Sequence, residues 1–120
     1  MRLGSADGTF VVVEWTADTD TSRARPIAAL HLHREEDEAW YVLEGRLGFR
    51  VGDDEVEAGP GDGVMIPRGT PHSYWNAADV PTRYLLVMGP RTAELVDELH
   101  TPGAADYAAL FERHGSELLG

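Results

Sequence analysis

The chain has 120 residues, which suits a single domain, and its 42% of hydrophobic residues is enough for a packed core. Ten arginines and 21 acidic residues give a net charge of −11, which argues against nucleic acids and anionic membrane surfaces as partners. Lysine and cysteine are absent, which excludes Schiff-base and P-loop chemistry, disulfides, thiolate metal sites and a cysteine nucleophile.

No segment of the sequence has the pattern of a membrane span or a signal peptide. The longest uninterrupted apolar runs have five residues, at 39–43 and 84–88, far fewer than a membrane span needs. The first eight residues lack the apolar stretch of a signal peptide. We therefore expect a soluble, cytoplasmic protein.

The first ninety residues contain a series of short strand patterns separated by turns. Residues 10–15 are β-branched and aromatic, and residues 16–25 are a polar loop. Alternation over residues 27–33 predicts one strand face that carries Ile27, Ala29, His31 and His33. Further strand patterns lie at residues 38–43, 47–51, 64–66, 72–76 and 84–88. Short strands at roughly ten-residue spacing predict an all-β sandwich or barrel instead of βαβ units.

The composition changes after residue 90, where helical spacing begins. Thr92 is predicted to cap a first helix, and a second helix is predicted from about Ala104 to a stop at Gly115. This tail, about residues 91–119, is too short to be a domain of its own. We expect one domain over residues 1–120, with a core over about 10–90 and the tail covering it or a neighbouring subunit.

His31 and His33 are the first candidate metal ligands. On a strand, residues i and i+2 point to the same face, so both imidazoles are expected on one side. Two alternating histidines alone are also compatible with a structural role. Glu38 adds to the signal because it begins the next strand, where an inward carboxylate needs a cation or hydrogen-bond donors. The other three acids of the turn, residues 35–37, are expected to be solvated.

A third histidine follows a stiff loop. Two prolines and a glycine precede His72 in residues 67–71, and Tyr74 and Asn76 alternate with it on one face. Three imidazoles and a carboxylate suit a divalent transition metal: Zn, Mn, Fe, Co, Ni or Cu. Four protein ligands leave one or two coordination positions free if the metal accepts five or six, and an open position is typical of catalytic sites.

At these residues the sequence resembles the cupins, in particular the small quercetin dioxygenase-like members. The first cupin motif, G(X)5HXH(X)3,4E(X)6G, is matched except at its leading glycine, where this chain has Arg25. The second motif, G(X)5PXG(X)2H(X)3N, is matched throughout. The matching positions are His31, His33, Glu38, Gly45, Gly61, Pro67, Gly69, His72 and Asn76. The departure at Arg25 puts only a local turn in doubt, since the family's glycine there is not a ligand.

The resemblance implies an antiparallel jelly-roll barrel with one or two short C-terminal helices and a metal inside it. It also implies that His31, His33, Glu38 and His72 are the metal ligands. Strand alternation adds a predicted substrate pocket, formed by Trp40, Phe49, Tyr74 and Met88, although the same inward positions are also compatible with core packing for each of them. Asn76 is expected to be either a turn residue or a donor in the shell behind the ligands.

Three functions are compatible with this site. The first is a metal-dependent dioxygenase-like oxidoreductase acting on a small metal-chelating substrate, with Glu38 as both ligand and catalytic base. The second is a non-redox isomerase, cyclase or lyase, with Tyr74 as an acid. The third is a metal- or metabolite-binding protein without catalysis. The resemblance and the exposed strand edges also predict a homodimer.

Overall fold

The computed structural model describes residues 1–5, 7–103 and 106–119, which contain ten strands and two helices. The strands are β1 Arg2–Leu3, β2 Val11–Ala17, β3 Ala28–His33, β4 Glu38–Glu44, β5 Leu47–Val51, β6 Asp54–Ala58, β7 Gly63–Ile66, β8 His72–Asn76, β9 Thr82–Met88 and β10 Ser116–Leu118. The helices are α1 Pro90–Leu99 and α2 Tyr107–Arg113. The predicted mostly-β fold with short C-terminal helices is confirmed. The predicted helix start at Ala104 lies outside the described residues.

The strands form two antiparallel five-stranded sheets. One sheet has the order β1-β2-β9-β4-β7, and the other has the order β10-β3-β8-β5-β6. Within the described strands no ladder joins one sheet to the other. The architecture is therefore a jelly-roll-like β-sandwich, which corrects the expectation of a closed barrel. Inward side chains of both sheets form one apolar core, which includes Val11, Val42, Leu47, Phe49 and Ile66.

A β-bulge in β3 changes the predicted face of one residue. Ala28 pairs with Tyr74 and His31 pairs with His72, so three steps along β3 match two along β8. The extra residue places Ala28 on the inner face, whereas Ala29 is exposed. The prediction that Ala29 shares a face with His31 is wrong for this reason.

The C-terminal tail packs on the sandwich and extends one of its sheets. Residues of both helices form a second apolar cluster, centred on Leu95, Leu110 and Phe111. After α2 the chain forms β10, which pairs with β3 and places Ser116 opposite His33. The predicted apolar stripe of the tail is therefore buried within this chain.

The start of α1 is capped from a distance. Gly89 is the N-cap residue and provides no side chain, so the predicted cap at Thr92 is wrong. Instead the Glu36 carboxylate accepts hydrogen bonds from the backbone N–H of Arg91 at 3.2 Å and of Thr92 at 2.7 Å. The negative charge of this carboxylate also interacts favourably with the positive, N-terminal end of the helix dipole of α1. Glu36 is therefore a capping residue, contrary to the expectation that it would be solvated.

Among the described residues, neither helix has the length and apolar character needed to cross a lipid bilayer.

Candidate metal centre

Three strands bring the four predicted ligands together between the two sheets. His31 and His33 lie on β3, and His72 begins β8 directly opposite His31. Glu38 begins β4 in the facing sheet. All four side chains are buried, with exposed fractions of 6%, 5%, 1% and 6% for His31, His33, His72 and Glu38.

The ligating atoms of these residues converge on one point. One nitrogen or oxygen atom from each of the four side chains lies within 4.8 Å of the others. Glu38 Oε1 lies 3.0 Å from His33 Nε2 and 3.2 Å from His72 Nε2. The rings of His31 and His72 are also close, with centroids 4.2 Å apart.

Each imidazole is held from behind by a hydrogen bond at Nδ1. His31 Nδ1 donates to the carbonyl of Ala29 at 2.6 Å, and His72 Nδ1 donates to the carbonyl of Thr70 at 2.9 Å. His33 Nδ1 bonds to Ser116 Oγ at 2.6 Å, and Ser116 is completely buried. A carbonyl can only accept, so Nδ1 of His31 and His72 carries a proton, and the neutral ring then keeps the lone pair of Nε2 for a metal. The Ser116 hydroxyl can donate to or accept from His33, and the tautomer of His33 with a proton on Nδ1 gives the same orientation.

The loop before His72 is fastened to the ligand strand β3. Gly69 has a φ of +79°, a conformation that residues with a Cβ rarely adopt. Its backbone N–H donates to the carbonyl of His33 at 2.6 Å. The glycine therefore allows the turn that places His72 beside His33.

Within the cluster, the pKa values of Glu38 and His31 differ from those of isolated side chains. Burial on its own would raise the pKa of Glu38, but the imidazoles of His33 and His72 outweigh it and lower that pKa to about 2. Burial, together with the neighbouring His72 and His33, lowers the pKa of His31 to about 4. At neutral pH the cluster thus presents an ionised carboxylate next to a neutral His31.

The side chains fit a transition-metal ion. His33 Nε2 is buried and has no hydrogen-bond partner of suitable geometry among the described residues, although Glu38 Oε1 is close. A buried nitrogen without a partner is costly, and a cation in front of it would remove that cost. Three imidazole nitrogens and one carboxylate oxygen are a donor set that divalent transition metals accept.

A cavity of about 420 Å³ adjoins the cluster and is lined by His31, His33 and Glu38. Its walls are mainly apolar and aromatic. They include the predicted pocket residues Trp40 and Tyr74, and also Trp15, Tyr84, Leu86, Leu95, Val96, Leu99, His100 and Phe111. The volume is within the range of small-molecule sites.

Two predicted pocket residues lie behind the wall instead of in it. Phe49 has no exposed surface and stacks on Tyr74, with ring centroids 5.8 Å apart and planes 19° apart. Met88 is buried in β9, in register with Glu38 and Val11. Both therefore fill the core and do not line the cavity, which is the second of the two roles that the sequence left open for them.

Asn76 holds loops together and does not support a ligand. Its amide nitrogen donates to the carbonyls of Ala17, Asp18 and Val80, and its amide oxygen accepts from Thr82 Oγ1 at 2.7 Å. Within the described residues these bonds reach no member of the metal cluster. Of the two expected roles, the structure therefore agrees with the turn residue and not with a donor behind the ligands.

A pair of tyrosines faces the same cavity. The hydroxyls of Tyr74 and Tyr84 are hydrogen bonded at 2.9 Å. Burial raises the pKa of Tyr74 well above its ordinary value, and burial and the charge of Glu38 raise that of Tyr84 to about 12, against the bond to Tyr74. Both phenols are therefore protonated at neutral pH.

Sequence reasoning missed Ser116, Tyr84 and the wall residues of the tail. Ser116 lies in a three-residue strand, which is too short for a periodic pattern. Tyr84 was recognised only as the first residue of a strand. Leu95 and Leu99 were recognised as a helical stripe, but helical spacing does not tell which surface the stripe covers.

Comparison with known proteins agrees with this architecture. The sequence model of the cupin domain family matches residues 23–88, more than half of the chain. An uncharacterized protein of Methanocaldococcus jannaschii is 36% identical over 61 residues, which are 51% of this chain and 49% of that protein. The chain thus spans about half the length of this curated relative.

Solved structures give the same result. A cupin-superfamily sugar phosphate isomerase from Silicibacter pomeroyi is 27% identical, with a TM-score of 0.58, covering 68% of this chain and 51% of that one. KdgF from Halomonas sp. has a TM-score of 0.60 at 19% identity, covering 75% of this chain and 76% of that one. At that identity KdgF shows the fold alone.

The fold and the buried histidine–glutamate cluster together define a jelly-roll protein with a site compatible with one metal ion. With the family match over residues 23–88, the chain belongs to the cupin family.

Proposed function

We propose that this chain is a metal-dependent enzyme, specifically a dioxygenase-like oxidoreductase acting on a small organic substrate that chelates the metal. One observation supports this most strongly. Three imidazoles with oriented Nε2 atoms and one carboxylate converge beside a mainly apolar cavity of about 420 Å³. A purely structural site would need no such space next to it.

His31, His33, Glu38 and His72 would hold the ion. A divalent transition metal bound there supplies Lewis acidity and, where it is redox-active, electron transfer with oxygen. The chain's own contribution is to orient the imidazoles through their Nδ1 bonds and to exclude water with aromatic walls. The ionised carboxylate of Glu38 lines the cavity and would accept a proton from a substrate hydroxyl.

A non-redox isomerase is the second candidate. It is favoured by the 27% identity to a protein described as a sugar phosphate isomerase. The protonated hydroxyls of Tyr74 and Tyr84 would serve such a reaction as proton donors, since both line the cavity. The fold alone decides nothing between the two, because one fold supports many reactions.

The test loads metal-free protein separately with Fe(II), Mn(II), Ni(II), Cu(II) and Zn(II). Oxygen uptake is then measured with a flavonol and with an enediol, and product formation is measured without oxygen. Uptake with a redox-active ion supports the dioxygenase. Anaerobic turnover of an enolisable substrate with Zn(II) supports the isomerase instead. Stoichiometric metal without turnover in any arm rejects both, and favours a protein that only binds a metal or metabolite.

Matched variants test the ligand assignment. Glu38→Gln and His33→Ala should lose stoichiometric metal, because each removes one of four ligands. Glu35→Gln is the control, since Glu35 belongs to the same turn but pairs with Arg91 at 2.8 Å on the surface. Full metal retention in Glu38→Gln and His33→Ala would show that the ion binds elsewhere.

A further inference from the structure

The cavity wall contains a polar group whose hydrogen bonding is incomplete. Trp40 is 2% exposed, and its indole Nε1–H has no hydrogen bond of good geometry among the described residues, although the Tyr74 hydroxyl is close to it. Buried N–H groups are nearly always paired, because leaving one unpaired costs roughly 1–3 kcal/mol. Trp40 also lines the cavity, where a ligand can supply the missing acceptor.

The two cavity tyrosines stand beside this indole. The ring of Tyr74 lies 5.3 Å from that of Trp40, and its hydroxyl is bonded to the hydroxyl of Tyr84. A bond between two hydroxyls uses only one of their two hydrogens. The neighbouring indole N–H of Trp40 can only donate, so it uses neither hydrogen, and among the described residues one O–H of the pair is left to donate. Trp40, Tyr74 and Tyr84 together are called the donor cluster below.

Among its described lining residues, the same cavity has no permanently charged cation that would bind a phosphate or a second carboxylate, and its only imidazole outside the metal cluster is that of His100, whose Nδ1 donates to the carbonyl of Val96. No arginine is among its described lining residues, and the sequence has no lysine. Asp18 and Asp20 lie in the lining, where they repel anions. The N-terminus of α1, another anion-binding element in many proteins, already holds the carboxylate of Glu36.

We propose that the donor cluster is a specificity subsite that binds a carbonyl or similar neutral acceptor oxygen of the substrate. The substrate class is an unphosphorylated aromatic or similarly apolar molecule with a metal-chelating hydroxyl group and a second, uncharged acceptor oxygen. This inference rests on the proposed function, since the hydroxyl group must reach the metal. It sets this site apart from one that acts on phosphorylated sugars.

The test uses the Zn(II)-loaded protein, in which bound catechols do not turn over by redox chemistry. Four probes share one chelating group: catechol, 2,3-dihydroxyacetophenone, 3,4-dihydroxyacetophenone and 3,4-dihydroxybenzoate. The first lacks a further oxygen, the next two add a neutral carbonyl in different positions, and the last adds a carboxylate. Dissociation constants are measured by calorimetry for the wild type, Tyr84→Phe, Trp40→Phe and the control Tyr107→Phe. Tyr107 is an exposed tyrosine at the start of α2, so its variant should match the wild type.

We expect at least one acetophenone to bind more tightly than both catechol and the benzoate. Tyr84→Phe and Trp40→Phe should each reduce the acetophenone-to-catechol affinity ratio by about 5- to 30-fold, the range for losing one buried hydrogen bond. Metal affinity should change less than about twofold, because neither side chain is a ligand and, among the described residues, neither is hydrogen bonded to one. If Trp40→Phe does not fold, Tyr84→Phe alone tests the inference, because it removes one buried hydroxyl group and keeps the aromatic ring.

Two results would overturn the inference. An unchanged affinity ratio in Tyr84→Phe would show that the donor cluster does not bind the carbonyl. Tightest binding of the benzoate would show that the cavity accepts an anionic substrate. If instead no probe binds the Zn(II)-loaded protein better than the metal-free protein, the proposed function itself fails, and the inference fails with it.

Discussion

Ser116→Ala should weaken metal binding although Ser116 is not a ligand. Ser116 Oγ is the hydrogen-bond partner of His33 Nδ1 at 2.6 Å, and the side chain is completely buried. Removing the hydroxyl leaves the buried Nδ1 of His33 without a hydrogen-bond partner and frees the imidazole to rotate or to change tautomer. Loss of such a supporting group typically costs about 10- to 100-fold in metal affinity. We expect a loss in that range for this variant.

The measurement is competition of the protein with a chromogenic chelator for Zn(II) or Co(II). Ser73→Ala is the matched control, because Ser73 is also a buried serine and adjoins the ligand His72, but lies on the other face of β8. The control should keep its affinity within about twofold. Equal affinities for the wild type and Ser116→Ala would refute the role of β10 in orienting His33. Equal losses in both variants would show a general effect of removing a buried hydroxyl.

Three further outcomes are expected. Gly69→Ala should lower the free energy of unfolding by about 1–2 kcal/mol, the cost of a positive φ, and should also weaken metal binding. The control is Gly61→Ala, because Gly61 has a φ of +85° but lies outside the metal site. It should lower the free energy of unfolding in urea titrations and leave the metal affinity unchanged. Equal metal affinities in the two variants would contradict the role of the 67–71 loop. In metal-free protein, the pKa of His31 falls from 6.5 in the unfolded chain to about 4 in the folded one, so the unfolded chain binds more protons between these values. The free energy of unfolding should therefore fall by about 3 kcal/mol as the pH falls from 6.5 to 4, with Glu38 adding to the loss below pH 4.5; a flat profile by denaturant titration would refute this. We also propose a homodimer through the outer face of β4 and the edge strand β7, where Tyr41 and Met65 are 44% and 56% exposed. Met65→Glu should convert it to a monomer of 13.1 kDa in light scattering, and a wild type that is already monomeric would disprove the dimer.

The ligands were predictable from the sequence because their signal is local. His31 and His33 are two residues apart on one strand, and the stiff loop before His72 is visible in its prolines and glycine. Glu38 begins the next strand, only five residues after His33. Strand periodicity was enough to direct these side chains inward, although it could not show that β3 and β4 lie in different sheets.

Other features depend on long-range pairing. The residue types in β3 do not indicate a bulge, so the regular alternation of a strand placed Ala29 on the wrong face. Ser116 supports His33 from 83 residues away, through a pairing that local patterns do not specify. Phe49 was correctly predicted to point inward. Strand alternation predicts the face on which a side chain lies, but not how far that side chain is from a cavity. Whether an inward ring lines a cavity or fills the space behind it depends on its neighbours in three dimensions.

The acidic turn between β3 and β4 limits how this site could be redesigned. Glu36 caps α1, and Asp37 accepts from the backbone and guanidinium of Arg68 in the loop before His72. The helix forming one wall and the loop bearing a ligand are therefore tied to one short connection. An engineer who moved α1 outward to admit a bulkier compound would disturb the ligands as well. Shortening Leu95 or Leu99 would enlarge the chamber while leaving that connection intact.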